Sequence, residues 1–264
     1  SSDKGATMQL YLTATAAQEP PAAALTRNIA HLCYRVGAEG RLMRNASPKG
    51  GCMVLTDAGH PNFCDPSGLI SDVLSECRAG HFSGVVADFE RVSTAESQDF
   101  LQRLSEELRR QGKRLYVPER LAPLYPGASI LFCTALSGGN FQMRLRKAAR
   151  AFGARRIALD AQWLRMEFPL PCPSGRGRLL RAEELSGLQQ TQKPISLFSP
   201  ELCANYFTYC RGAEHRFVLY DTAETMLKKL RYGAELGCGC AFLFCGEIED
   251  LPNLMQRIKK EKIL

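Results

Sequence analysis

The chain has 264 residues, 45% of them hydrophobic and 23% charged, and its 34 Lys and Arg against 27 Asp and Glu give a net charge of +7. This is a globular composition, which excludes a disordered, collagenous or coiled-coil chain, and the length suits one large α/β domain. No run of about 18 apolar residues occurs, so nothing is expected to cross a membrane, and residues 1–7 lack the basic-then-apolar pattern of a secretory signal.

Short strand-like runs alternate with helical patterns along most of the chain, which is the rhythm of a parallel α/β fold. The strand runs fall at 8–14, 30–36, 52–57, 83–90, 113–118, 129–134, 155–161 and 240–245. Eight strands in this length match a (β/α)8 TIM barrel, with a doubly wound open sheet as the alternative. Asp65-Pro66 predicts a helix start, followed by Leu69, Ile70, Val73, Leu74 and Cys77 at helical spacing and a stop at Gly80. Ser93 to Glu96 reads as a capping box ahead of Phe100, Leu101, Leu104 and Leu108, and Asp221 to Glu224 as another ahead of Met226, Leu227 and Leu230. The stretch 162–220 breaks the rhythm. It is proline-punctuated, with a loop at 169–178, one helix near 181–190 and β runs at 195–198, 206–209 and 217–220. We read residues 1–264 as one barrel domain carrying this stretch as a small α+β insertion between strand 7 and its helix, placed to wall a cleft on the C-terminal face.

The eleven cysteines are scattered, form no C-x-x-C pair and often lie inside apolar runs. Reduced thiols packed in a core explain that pattern; a zinc site around Cys238 and Cys240 is the sharper alternative, although the four histidines show no paired ligand spacing. No cofactor or resident metal is indicated. Arg144, Arg146, Lys147 and Arg150 fall on a helical pattern, with Arg155 and Arg156 just beyond. Without interleaved aromatics they read as a solvated face rather than a nucleic-acid surface. Thiol content and the absent signal point to the cytoplasm, and a spore-coat protein made in the mother cell would look the same.

The sharpest candidate site is Gly84-Val85-Val86-Ala87-Asp88-Phe89-Glu90. Strand side chains alternate between faces, so Val85, Ala87 and Phe89 form an apolar set facing the helices. Asp88 and Glu90 then point into the barrel at its C-terminal end, about 6–7 Å apart along the strand. Two carboxylates so close repel, one pKa rises, and that group can serve as a general acid. An ordinary strand end with its acids paired to arginines such as Arg91 is the alternative.

The segment 82–90 resembles the strand-4 signature of family 18 glycoside hydrolases, D-G-x-D-x-D-[WF]-E. His31 to Val36 with Glu39-Gly40 is similar to the second strand of the spore-germination, cortex-lytic branch of that family, and Met53 to Thr56 to its third. Pro194-Ile195, Tyr206 to Tyr209, His215 and Asp221 resemble that branch's insertion. The resemblance implies a retaining, substrate-assisted N-acetylglucosaminidase acting on peptidoglycan, spore cortex or chitin-like glycan. It makes Glu90 the acid on the glycosidic oxygen, and gives Asp88 the task of orienting the N-acetyl group that attacks the anomeric carbon. It also exposes departures. Ser83 and Val86 replace the first two acids, and Thr134-Ala135-Leu136 stands where the family has a tyrosine and an acid. Phe244 stands where it has a tryptophan under the sugar. A catalytically impaired relative that binds glycan or serves a structural role on a spore or cell surface is therefore the alternative function.

Other polar or aromatic residues at strand ends are candidates for the substrate cleft: Asp57, His60, Asn62, Glu119, Gln162, Trp163 and Glu247. Ser137-Gly138-Gly139-Asn140 is either an anion cradle or a plain turn and helix cap. The net charge of +7 fits an anionic glycan such as peptidoglycan.

Overall fold

The computed structural model describes residues 7–90 and 94–264. The chain begins with β1 (Gln9–Thr15), α1 (Glu19–Ala23), β2 (Ile29–Val36) and β3 (Leu42–Arg44). Next come β4 (Cys52–Thr56), α2 (Pro66–Gly80), β5 (Gly84–Asp88), α3 (Ala95–Arg110) and β6 (Arg114–Pro118). β7 (Ser129–Cys133), α4 (Phe141–Phe152) and β8 (Ile157–Ala161) follow. A second sheet region then runs through β9 (Arg165–Leu170), β10 (Arg178–Leu179), α5 (Ala182–Gln192), β11 (Leu197–Ser199), β12 (Ala204–Arg211) and β13 (Glu214–Tyr220). The chain ends with α6 (Ala223–Leu236), β14 (Cys240–Phe244) and α7 (Leu251–Lys260).

Eight parallel strands in the order β1-β14-β8-β7-β6-β5-β4-β2 close on themselves through a parallel β1–β2 pairing, and β3 adds antiparallel to β2. This is the (β/α)8 TIM barrel that the strand rhythm predicts; closure excludes the open sheet. Two crossovers depart from the ideal unit. Between β2 and β4 the chain supplies β3 in place of an α-helix, and between β6 and β7 it makes a 3-10 turn over Glu119–Leu124. Pro123 sits inside that turn and removes a backbone donor, which favours the short helix over a long one.

Alternation sorts each strand into two layers. Tyr11, Ala30, Cys52, Val54, Val86, Tyr116, Leu131, Ala158, Cys240 and Phe242 fill the barrel interior. Val85, Ala87 and Phe89 point outward into a core shared with α2 and α3, and Ile157, Leu159 and Ala161 into one shared with α4 and α6. Gly84 lets β6 approach β5 closely, since a Cβ there would lie 2.6 Å from the Arg114 carbonyl oxygen. His31 is buried on β2, its Nδ1 facing Glu19 Oε1 at 2.7 Å and its Nε2 facing the Gly50 carbonyl at 2.8 Å, so it ties α1 and the approach to β4 onto the barrel. All eleven cysteines are free, and Cys238 and Cys240 point into different layers, the outer core and the barrel interior.

The helix starts show how caps are chosen. Asp65 caps α2 by accepting the Gly68 N–H, as expected. The α3 box is formed by Thr94 and Ser97, while Ser93 lies outside the described residues. The α6 box is formed by Thr222 and Thr225 rather than Asp221 and Glu224. Asp221 is instead buried against Lys229. Asn140 caps α4 through the Met143 N–H, so Ser137 to Asn140 is a turn and cap. Arg144, Arg146, Lys147 and Arg150 lie on the exposed face of α4, opposite Phe141, Leu145 and Ala148.

Between β8 and α6 the sheet β10-β9-β13-β12-β11 is antiparallel throughout. It includes a strand, β9, that the sequence reading leaves unassigned apart from its last two residues, which it places in the loop at 169–178. Buried Glu167 holds β9 in this sheet by accepting from the Tyr209 hydroxyl and from Arg178 Nη2 at 3.1 Å.

Candidate active site

The C-terminal mouth of the barrel opens into a cavity of about 270 Å³. Its apolar walls come from Leu32, Val54, Val86, Leu131, Phe242 and Phe244, with Thr13 beside them. Phe242 stacks on Tyr11 at 5.2 Å and meets Tyr116 edge-on at 5.0 Å, which makes a rigid aromatic base. The polar lining is Asp88, Glu90, Asp160, Gln162 and Glu247. Four carboxyl groups thus share one space, and no Lys, Arg or His lines it among the described residues. The basic surplus of the chain does not reach this cavity, so the link from net charge to an anionic glycan is not carried by the site.

β5 delivers Asp88 and Glu90 through the alternation predicted for it, with Val86 below them on the same face. Asp57, at the end of β4, is 2% exposed and accepts the Glu90 N–H at 3.0 Å through Oδ1. It therefore positions the backbone that carries Glu90 rather than lining the cavity. The cavity wall crowding the Asp88 carboxyl raises its pKa first, and the charges of Glu90 and Asp57 add to this.

Asp160 is the residue that the sequence reading misses. On β8 it follows Ala158 on the inward face, and it is paired in register with Cys133 on β7 and Phe242 on β14. Burial raises its pKa from 3.8 to about 7; the hydrogen bond from Gln162 opposes the rise, and Asp88, Glu247 and Glu90 add to it. Gln162 donates from Nε2 to Asp160 Oδ2 at 2.8 Å. Glu247 accepts the Trp163 N–H at 3.1 Å, and its own carbonyl accepts from Arg165 Nη1 at 2.9 Å.

The raised Asp160 pKa predicts a pH-dependent stability. The folded chain keeps a proton that the unfolded chain releases near pH 4, so this contribution is complete below that pH and is lost as pH rises through 7. The span from 3.8 to about 7 is worth at most about 4 kcal/mol. Asp160→Asn removes the titration. Its stability relative to the parent is expected to grow between pH 4.5 and pH 8 in thermal unfolding, and a gap that stays constant would show that Asp160 is ionised throughout.

The remaining candidates separate cleanly. Phe244, Gln162 and Glu247 line the cavity. His60 is exposed and Glu119 half-buried, and neither lines it. Asn62 serves its own loop, donating to the Ala38 carbonyl at 3.0 Å and accepting the Cys64 N–H at 2.9 Å. Trp163 packs against the outer core and lines a separate space of about 320 Å³ with Arg165, Leu185 and Asp221. The insertion walls that second space. Of the insertion, read over 162–220, Gln162 lines the carboxylate cavity and none of the described residues 163–220 does, so the insertion borders it only where it leaves β8.

The departures from the motif also have locations. Ser83 sits low in the barrel, its Oγ 3.4 Å from both the Tyr11 hydroxyl and Cys52 Sγ. Leu136 is buried in the outer core and Ala135 packs against the insertion, so neither reaches the cavity. Thr134 is fully buried, with its hydroxyl unpartnered.

No protein-family model and no curated protein matches the chain. Solved structures do match. The spore cortex-lytic enzyme SleL of Bacillus megaterium has a TM-score of 0.69 at 14% identity, over 98% of this chain and 75% of that one. A chitinase of Chromobacterium violaceum has a TM-score of 0.69 at 17% identity, over 97% and 98%. A class V chitinase of Nicotiana tobaccum has a TM-score of 0.66 at 10% identity, over 97% and 98%. The shared property is the barrel fold, and it agrees with the sequence resemblance to family 18 glycoside hydrolases.

Proposed function

We propose that the chain is a glycosidase that cleaves N-acetylglucosamine-containing glycan with retention of configuration. One observation carries this reading: Asp88 and Glu90 enter one cavity with an aromatic base, at the barrel end where such folds place their chemistry. Phe242 and Phe244 offer apolar surface to a sugar ring, and the carboxyl groups offer partners to its hydroxyls. In the proposed reaction Glu90 gives its proton to the glycosidic oxygen while the substrate's acetamido oxygen bonds to the anomeric carbon. The glycosidic C–O bond breaks and a cyclic oxazolinium forms, with Asp88 orienting the acetamido group. Water then opens the ring, passing a proton back to Glu90. Chitin-like glycan and peptidoglycan both supply the required N-acetyl sugar.

A second reading has its own observation. Ala135 and Leu136 give the cavity no polar contact, and losing one contact made in the transition state costs about 100-fold or more in rate. On that reading the chain holds glycan without cutting it. The two separate on incubation with N-acetylglucosamine oligomers and purified cortex muropeptides. Release of shorter products, with retention read by proton NMR, is the expected result. Absence of product together with calorimetric binding of the same oligomers would replace the enzyme by the binder.

A further inference from the structure

The carboxylate cavity holds more acid than two catalytic groups require. Asp88 and Glu90 come from β5 and its end, Asp160 from β8 and Glu247 from the turn after β14. A space of 270 Å³ is about 8 Å across, a distance over which carboxylates repel, more strongly at half-buried Asp160 and Glu247 than at exposed Asp88 and Glu90. Among the described residues no cation lines it to offset them. Crowded in this way the groups disfavour one another's ionisation, and the more enclosed ones are those that most readily keep a proton.

Geometry singles out Asp160. Among the described residues every charged group facing it is acidic: Asp88, Glu90 and Glu247 across the cavity, with the thiol of Cys133 beside it on β7. Lys229, on α6 behind the strand, is committed to Asp221. Gln162 occupies Oδ2 as a donor, which leaves Oδ1 as the oxygen that can carry the proton into the cavity. Burial of this carboxyl agrees with that assignment.

We infer that Asp160 is a further substrate-contacting residue, whose carboxylic O–H donates to an uncharged acceptor on the sugar, so that the cavity selects neutral N-acetyl sugars over acidic ones. The inference rests on the glycan reading above. A sugar carboxylate would add a further like charge to the cavity, whereas an amide carbonyl or a hydroxyl accepts the hydrogen bond at no such cost. Above neutral pH Asp160 ionises, the donor is lost, and affinity falls with it.

Calorimetry with a chitotetraose probe tests this at pH 5.5 and 8.5 on the parent, Asp160→Asn and Asp160→Ala, each checked for folding at both pH values. Asn is the informative variant, because its amide oxygen can accept from Gln162 while its NH2 still donates. The parent is expected to lose about tenfold in affinity between the two pH values, Asp160→Asn less than about twofold, and Asp160→Ala to bind about 3- to 10-fold more weakly than the parent at pH 5.5. A uronate-containing oligomer of equal length should bind the parent at least about tenfold more weakly than chitotetraose. The inference is overturned if Asp160→Asn declines with pH as the parent does, if Asp160→Ala matches the parent at pH 5.5, or if the acidic oligomer binds as well. Binding by the parent with unchanged variants sinks this inference alone; no binding by the parent at either pH sinks the glycan reading and this inference together.

Discussion

Glu90→Gln is expected to lower glycan turnover by about 100- to 10,000-fold while leaving oligomer affinity within about threefold, which is the range for removing a positioned general acid. Glutamine keeps the length and shape of the side chain, so the cavity lining is preserved. The backbone clamp from Asp57 to the Glu90 N–H is untouched, because it does not involve the side chain. What disappears is the transferable proton. Asp88→Asn should cost about 100-fold or more in turnover, through loss of the group that orients the acetamido oxygen. Product formation by Glu90→Gln at the parent rate would remove Glu90 from the acid's role and leave Asp88 or Asp160 as the carboxyls able to fill it. Steady-state assays with the oligomers above read both variants, and calorimetry separates lost chemistry from lost binding.

The barrel and half of its site were legible because both rest on alternation. Val85, Ala87 and Phe89 make one face of β5 wholly apolar, which forces Asp88 and Glu90 to the other. The same argument applied to Ile157, Leu159 and Ala161 places Asp160 inward beside Ala158. A lone acid between apolar residues in a strand led by two arginines carries no paired signal, unlike the polar and aromatic pair Gln162 and Trp163 just after the strand. Asp57 misled in the opposite sense. A polar residue at a strand end suggests the cavity rim, yet here it is buried to hold a backbone. β9 has no local signal for a chemical reason: Glu167 and Pro169 interrupt Arg165-Met166-Glu167-Phe168-Pro169, and Glu167 is satisfied only by Tyr209 and Arg178, distant in sequence. Long-range pairing of this kind leaves no local pattern.

Lys229→Met is expected to destabilise the fold by about 3–5 kcal/mol in urea unfolding, the cost of leaving one member of a buried ion pair alone. Lys229 and Asp221 are both fully buried, with Nζ 2.8 and 2.9 Å from the two carboxylate oxygens. Asp221 also accepts from the Thr225 hydroxyl at 2.6 Å and from the Leu164 N–H at 3.0 Å. One carboxylate therefore joins α6 to the first residues beyond β8. In Lys229→Met it would keep the latter two donors and lose its counter-charge. The double variant Asp221→Asn with Lys229→Met should recover most of the loss, because a neutral amide can still accept from Thr225 or Leu164 and no charge remains unpaired. Additive losses in that cycle would mean that the two residues act independently. The pair also bears on the site, since Leu164 is two residues from Gln162, which orients Asp160. Loosening that anchor in Lys229→Met should weaken oligomer binding more at pH 5.5, where Asp160 donates, than at pH 8.5, where it is ionised. An equal loss at both pH values would confine the pair to stability.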